Sequence, residues 1–277
     1  MAHFGEKIML LAQITDCHVT CPGRRAYRIV DTVDALRQAV DALLALAPAP
    51  DAVIVTGDLA YDGRTEEYEV LAAELGRLPM PVLALPGNHD ARGPFREILG
   101  RRFCPSEDPQ FLHFVYEFPE TTLIGLDTLV PGADGGVLCS ARLAWLAKAF
   151  TRVRDKPVIL ALHHPPFATG IAHMDRIGLA NPEDLEGLVR RHGRVQRILC
   201  GHVHRAVQTI WAGTIASIAP STAHQVALSL DPAAPSSFTL EPPGLHLHAR
   251  LPNGAIVTHL LPLGAWPGPY RFSEYAA

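Results

Sequence analysis

The chain has 277 residues, 48% hydrophobic and 19% charged, enough apolar material for a generous core and far from the composition of a disordered segment. Twenty-four Lys and Arg against 28 Asp and Glu give a net charge of −4 with histidine neutral, which leaves no general cationic surface for a nucleic acid duplex. No apolar run reaches the roughly 18 residues that cross a bilayer, and the stretch Lys7 to Ile14 runs into Thr15 and Asp16 rather than a small-residue cleavage site. These features point to a cytoplasmic protein with no membrane partner. Five cysteines, an odd number without repeated spacing, fit reduced thiols.

Taken in order, Ile8 to Ile14 reads as a strand, and Tyr27 to Leu46 as a helix with Ile29, Val33, Leu36, Val40, Leu43 and Leu44 on one stripe, closed by Pro48 and Pro50. Ala52 to Thr56 is a strand, Glu66 to Leu75 a helix, Val82 to Leu85 a strand and Phe95 to Leu99 a short helix. Phe111 to Phe118 and Thr121 to Leu126 form two antiparallel strands. Arg142 to Val153 is helical, Val158 to Leu162 a strand, Pro182 to Arg190 a helix and Gln196 to Cys200 a strand. After Val203 come short alternating runs without helices: Val207 to Trp211, Thr214 to Ile218, Gln225 to Leu230, Leu245 to Leu251 and Ile256 to Leu261. The proline-rich segment Asp231 to Gly244 is a loop or edge excursion, since proline cannot donate to a ladder. With no repeat and no long linker, the expected architecture is an α/β sandwich over residues 1–277 as one domain, two facing sheets with helices outside and a β-rich part from about residue 205.

The chemistry sits where strands end. The first runs into Asp16-Cys17-His18, the second into Gly57-Asp58 and the third into Gly87-Asn88-His89-Asp90; later ones run into His163-His164-Pro165 and Gly201-His202-Val203-His204. Parallel strands put their carboxyl ends on one edge, so these clusters should converge on one crevice. Carboxylate and amide oxygens with several imidazoles suit first-row transition ions rather than calcium. Asp58 has two oxygens and can bridge two ions; Asp16, His18 and His204 then complete one site, and Asn88, His163 and His202 the other. Burying these groups together without a cation costs several kcal/mol per uncompensated charge. Glycines before Asp58, Asn88 and His202 allow close backbone approach.

This order of motifs resembles the calcineurin-like metallophosphoesterase superfamily over about residues 8 to 210. Pro165-Pro166, Met174-Asp175 and His224-Gln225-Val226 are similar to bacterial class III cyclic-nucleotide phosphodiesterases and their glycerophosphodiesterase relatives. The resemblance implies a four-layer αββα fold of two mixed sheets flanked by helices. It also implies a dinuclear site on Asp16, His18, Asp58, Asn88, His163, His202 and His204. His163 is the expected ligand because it comes straight off its strand, with His164 behind it. Asp58 and His89 are the expected catalytic residues, and His18, Asn88, His89 and His204 face the substrate. Two ions, drawn from iron, manganese, zinc or cobalt, lower the pKa of a shared water, so no protein nucleophile is needed. His89 then stabilises the transition state and protonates the departing alkoxide.

The implied activity is hydrolysis of a small phosphodiester, foremost a 3′,5′-cyclic nucleotide. A glycerophosphodiester, a phosphomonoester and a non-catalytic scaffold of the same fold are the alternatives.

Other residues carry two readings each. Arg24, Arg25, Arg64, Arg92 and Arg205 follow four of the motifs, either as a solvated rim or as attraction for an anionic substrate. Cys17 and Cys21 read as packing rather than a redox pair. His246 and His248, with His259 opposite, read as exposed strand-face residues, and Trp145 with Leu143 and Leu146 as core. His173 and Met174 are placed to line the pocket. Trp211, Trp266, Tyr270, Phe272 and Tyr275 pack either on their own domain or across a homodimer or higher homo-oligomer. Loops Pro22 to Ala26, Phe167 to Arg176 and Asp231 to Gly244 would set substrate choice.

Overall fold

A computed structural model describes residues 8–275; Lys7 and the Tyr275 side chain lie outside the described residues. In chain order the elements are β1 (Met9–Ile14), α1 (Thr32–Leu44), β2 (Ala52–Thr56), α2 (Thr65–Leu75), β3 (Val82–Leu85), α3 (Arg92–Ile98) and α4 (Gly100–Phe103). Then come β4 (Phe114–Glu117), β5 (Thr122–Leu126), α5 (Ser140–Arg152), β6 (Val158–Leu162), α6 (Ala172–Asp175), α7 (Pro182–His192) and β7 (Val195–Cys200). The last part holds β8 (Val207–Trp211), β9 (Thr214–Ile218), β10 (Gln225–Val226), β11 (Phe238–Thr239), β12 (Gly244–Arg250), β13 (Ile256–Pro262) and α8 (Phe272–Tyr275).

Two mixed sheets result, ordered β13-β12-β1-β2-β3 and β4-β5-β6-β7-β9-β8, beside a small β10-β11 ribbon. β1, β2 and β3 run parallel, as do β5, β6, β7 and β9. These central strands are apolar on both faces because both faces are covered. Strand β6 shows the layering: Ile159 and Ala161 join the core shared with the first sheet, α1 and α2, whereas Val158, Leu160 and Leu162 join the core under α5 and α7. Helices thus flank a pair of sheets, the expected four layers.

Several element boundaries differ from expectation. Helix α1 starts at Thr32, not Tyr27, because Asp31 caps it by accepting from the Asp34 amide, while Tyr27 and Arg28 hold positive φ of 49° and 67° in a tight loop. Ile29 and Leu44 accordingly fall outside the buried stripe that Leu36, Val40 and Leu43 form. The run Phe111 to Phe118 shortens to β4 because the Asp108 carboxylate accepts from the Gln110 and Phe111 amides and turns the chain. The run Gln225 to Leu230 shortens to the two residues of β10, and Leu228 and Leu230 are exposed. The segment Asp231 to Gly244 is not all loop: Phe238–Thr239 pairs back onto β10, and Gly244 already opens β12. Trp211 packs on its own domain against the core under α5 and α7, whereas in the tail Trp266, Tyr270 and Phe272 are exposed, Phe272 at 95%.

His246 and His248 are buried, contrary to expectation, because their face of β12 is turned toward the second sheet, where Gln13, the partner of His248, donates to Cys200 O of β7 (2.9 Å). His248 shares hydrogen bonds with Gln13 Oε1 (3.1 Å) and Thr258 Oγ1 (2.9 Å), and His259 lies opposite Leu247 instead. Burial pushes the pKa values of His246 and His113 down to about 4 and that of His248 to about 3. The unfolded chain takes up these protons near pH 6.5 while the folded chain refuses them, so their stabilisation is present above pH 6.5 and lost as pH falls toward 4. Asp90 has the opposite sign: burial raises it to about 6, so its contribution is present below its ordinary value and lost as pH rises through 6. His164 and His224, both lowered to about 3, add to these three histidines, while His163, raised to about 9, sides with Asp90; the balance predicts a lower urea midpoint at pH 4.5 than at pH 7.5, with each lowered histidine contributing on the order of 2 kcal/mol. Equal midpoints would contradict this balance.

Candidate metal centre

Each cluster leaves the carboxyl end of a parallel strand: Asp16 and His18 follow β1, Asp58 follows β2, Asn88 and His89 follow β3, His163 and His164 follow β6, and His202 and His204 follow β7. Because the two sheets face each other, these loops meet. Asp16, His18, Asp58, His202 and His204 all have positive φ, between 44° and 75°, and make up five of the eight described non-glycine residues that do. Each such residue costs about 1 kcal/mol or more. Hydrogen bonds across the loops hold them: Asp16 N to Gly57 O (3.0 Å), His18 N to Asp58 O (2.9 Å), and His202 N to both Asp16 oxygens (3.1 Å).

Asp58 lies between two groups. Its Oδ2 is 3.5 Å from His18 Nε2 and its Oδ1 is 3.4 Å from His163 Nε2. On the first side, His204 Nε2 is 3.0 Å from His18 Nε2 and 3.3 Å from Asp16 Oδ1. On the second, Asn88 Oδ1 is 3.1 Å from both His163 Nε2 and His202 Nδ1. All seven expected residues therefore converge.

The tautomers follow from the acceptors. His163 Nδ1 donates to Thr56 O (2.8 Å) and His204 Nδ1 to His224 O (3.0 Å), which leaves both Nε2 atoms aimed at the cluster; although burial opposes its charge, Asp58 raises His163 to about 9, so a cation would take the place of the proton on its Nε2. His164 behaves differently: Nε2 donates to Asp134 O (3.1 Å), Nδ1 accepts from the Thr128 hydroxyl (2.7 Å), and burial lowers its pKa to about 3. With both nitrogens engaged, it supports the loop.

Burial holds His18 and His202 far below the usual imidazole range, hence neutral and able to donate lone pairs. Burial opposes ionisation of Asp58, but His163 and His89 outweigh it and keep its carboxyl well below the usual carboxylate range. Two buried carboxylates with inward lone pairs and a shared bridging position are what a pair of divalent cations would complete.

His89 Nδ1 donates to Tyr61 O (2.8 Å) and its amide to Asp58 Oδ1 (2.9 Å), so Nε2 remains for a ligand. Burial lowers its pKa, yet Asp58 and the Tyr61 carbonyl prevail and the net shift is upward. Asp90 ties the loops after β2 and β3 together, accepting from Leu59 N, Ala60 N, Gly87 N and the Tyr68 hydroxyl. That role was not assigned from sequence, although four donors on one carboxylate explain why the motif ends in Asp.

The ligand cavity, about 470 Å³, is lined by His18, Asp58, Asn88, His89, His202 and His204, and also by Tyr27, Asp134, Met174, Ile177, His224 and Phe238. Met174 lines it as expected and His173 does not. Tyr27 and Phe238 pack at 4.7 Å between ring centroids, so the 231–244 segment reaches the site. Cys17 is a buried thiol pushed up to about 12, and all five cysteines are free.

The arginines divide. Arg24 and Arg64 share Asp62, Arg92 pairs with Asp127 and Arg205 with Glu241, so four of the five are paired, with three carboxylates between them; among the described residues Arg25 has no ion pair.

The glycines before Asp58, Asn88 and His202 are all needed for close approach, the last because a Cβ on Gly201 would lie 2.2 Å from Thr15 Oγ1. A Cβ on Gly57, at φ +95°, would lie 2.3 Å from His163 Nδ1, and one on Gly87 would lie 2.2 Å from Asp58 Oδ1. Gly87→Ala must displace the Asp58 carboxylate, and a shift of about 1 Å is expected to lower kcat/KM on the order of 100-fold. Parallel measurement of activity and metal content checks this, and near-normal turnover would show that Asp58 has room.

Comparison with known proteins follows the same lines. Residues 9–206 match the calcineurin-like phosphoesterase family model. The chain is 37% identical over 268 residues to a protein of Arcobacter nitrofigilis named probable glycerophosphodiester phosphodiesterase GpdQ, covering 95% of this chain and 97% of that one. It is 28% identical to the Escherichia coli K12 3′,5′-cyclic adenosine monophosphate phosphodiesterase CpdA, covering 92% and 90%. A dimetal phosphatase from Danio rerio superposes with a TM-score of 0.65 at 15% identity over 94% of this chain and 100% of that one. By sequence and by architecture, the chain belongs to the calcineurin-like phosphoesterase family.

Proposed function

We propose that the chain is a dinuclear-metal phosphodiesterase for small diesters, 3′,5′-cyclic nucleotides foremost and glycerophosphodiesters as the second reading. The observation that carries it is Asp58, whose two oxygens face two separate sets of donors. Asp16, His18, Asp58 and His204 would hold one cation, and Asp58, Asn88, His163 and His202 the other; iron, manganese, zinc and cobalt all suit these donors. When bound, such a pair supplies a water that ionises near neutral pH and positive charge toward the non-bridging phosphoryl oxygens.

The chain's own groups do the rest. His18, Asn88, His89 and His204 surround the phosphoryl group. His89, fixed through Nδ1 by Tyr61 O, delivers a proton from Nε2 to the departing alkoxide. Thr56 O and His224 O keep His163 and His204 in the tautomer that serves as donor. The relatives named GpdQ favour the glycerophosphodiester and CpdA the cyclic nucleotide. A scaffold role is disfavoured because the full donor set is present and convergent.

Residues 1–277 are read as one catalytic unit working in the cytoplasm, in keeping with five free cysteines and the absence, among the described residues, of a helix long and apolar enough to cross a membrane. The exposed Trp266 and Phe272 suit self-association. The test is a panel of 3′,5′- and 2′,3′-cyclic nucleotides, glycerophosphodiesters and a phosphomonoester on metal-reconstituted protein, with metal counted per chain. Diester turnover with two ions supports the reading; a folded chain that binds no metal and hydrolyses nothing rejects it.

A further inference from the structure

Beside the ligand cavity lies a second one of about 520 Å³, lined by Gly23, Arg24, Arg25, Tyr27, Arg28 and Tyr61. Tyr27 lines both cavities. Tyr61 connects them chemically as well, since its carbonyl accepts from His89 Nδ1 and its ring centroid is 6.1 Å from that of His89. The second cavity is therefore on the side of the site where the leaving group acquires its proton.

Arg24 is committed to Asp62 and lies over the Tyr61 ring. Among the described residues, Arg25 and Arg28 have no ion pair and no side-chain hydrogen bond, although every other arginine named beside a motif is paired with a carboxylate. Nor is their position accidental. The loop is closed by Ala26 N to Val30 O (3.0 Å), Val30 N to Ala26 O (2.9 Å) and Arg28 N to Arg25 O (3.2 Å), and it carries positive φ at Tyr27 and Arg28. The turn fixes the backbone from which these two unpaired guanidinium groups line the cavity. Guanidinium forks suit phosphate and carboxylate oxygens.

We infer that Arg25 and Arg28 form an anion subsite on the leaving-group side, which selects phosphodiesters whose alcohol carries a second phosphoryl or carboxylate group. This deepens the phosphodiesterase reading and rests on it.

Three diesters of glycerol 3-phosphate test it, with leaving alcohols of matched length: 3-hydroxypropionamide, 3-hydroxypropionate and 3-hydroxypropyl phosphate. Release of glycerol 3-phosphate is followed by a coupled dehydrogenase on the metal-reconstituted full chain at low ionic strength. Bis(4-nitrophenyl) phosphate separately reports whether the chain is a phosphodiesterase. The expected result is a kcat/KM at least about tenfold higher for one or both anionic alcohols than for the amide. In the Arg25→Gln/Arg28→Gln variant that ratio falls toward one, and in Arg25→Lys/Arg28→Lys it is largely kept. The better of the two anionic substrates identifies the anion. Equal rates on the three diesters, or a ratio unchanged in the Gln variant, overturn the subsite while leaving the phosphodiesterase reading intact. Inactivity toward bis(4-nitrophenyl) phosphate overturns both.

Discussion

Asp58→Ala should lower kcat by on the order of 1000-fold or more and reduce metal content below two per chain, while the folded structure persists. The expectation follows from position. Asp58 is the one described carboxylate with an oxygen toward each donor set, 3.5 Å from His18 and 3.4 Å from His163. Its Oδ1 also accepts from the His89 amide, so removal loosens both halves of the site and the residue between them. Circular dichroism and metal counting separate loss of the site from loss of the fold. A variant that retains two ions and activity within tenfold of wild type would remove Asp58 from the bridging role.

His89→Ala is expected to leave metal content unchanged and lower kcat about 100- to 1000-fold on diesters with alkoxide leaving groups, the usual range for a lost general acid. The loss should be much smaller on bis(4-nitrophenyl) phosphate, because nitrophenolate departs without a proton. The acid form is the active one, and the upward shift of His89 extends that form toward neutral pH. Wild-type kcat on alkoxide diesters should thus fall on the alkaline side, and the variant should lack that limb. Identical losses on both kinds of substrate would assign His89 to charge stabilisation alone.

Much of this arrangement was legible in the sequence because the donors are short motifs at the ends of strands that are apolar on both faces, and parallel pairing brings such ends together. Strand-to-loop steps such as Thr56-Gly57-Asp58 and Cys200-Gly201-His202 could be read without knowing their partners. The misread elements depended on tertiary context. Tyr27 to Val30 continues a helical stripe on paper, but the Asp31 cap and the positive φ at Tyr27 and Arg28 break it. His246 and His248 alternate like surface residues, yet their face of β12 is turned toward the second sheet, which buries them. Phe238, inside a proline-rich stretch, pairs with β10 and arrives beside Tyr27. None of these contacts is encoded locally.

On the side of β1 away from β2 its neighbour is β12, contributed from more than two hundred residues away, with five registered pairs from Met9–Arg250 to Gln13–His246. A shortened chain that stopped at residue 206, the end of the family match, would leave the strand that delivers Asp16 and His18 as a bare edge, open to pairing with other molecules. During synthesis, then, this half of the metal pocket reaches its final form only after residues 246–250 have emerged from the ribosome, and until that pairing forms β1 lacks the partner strand on that side.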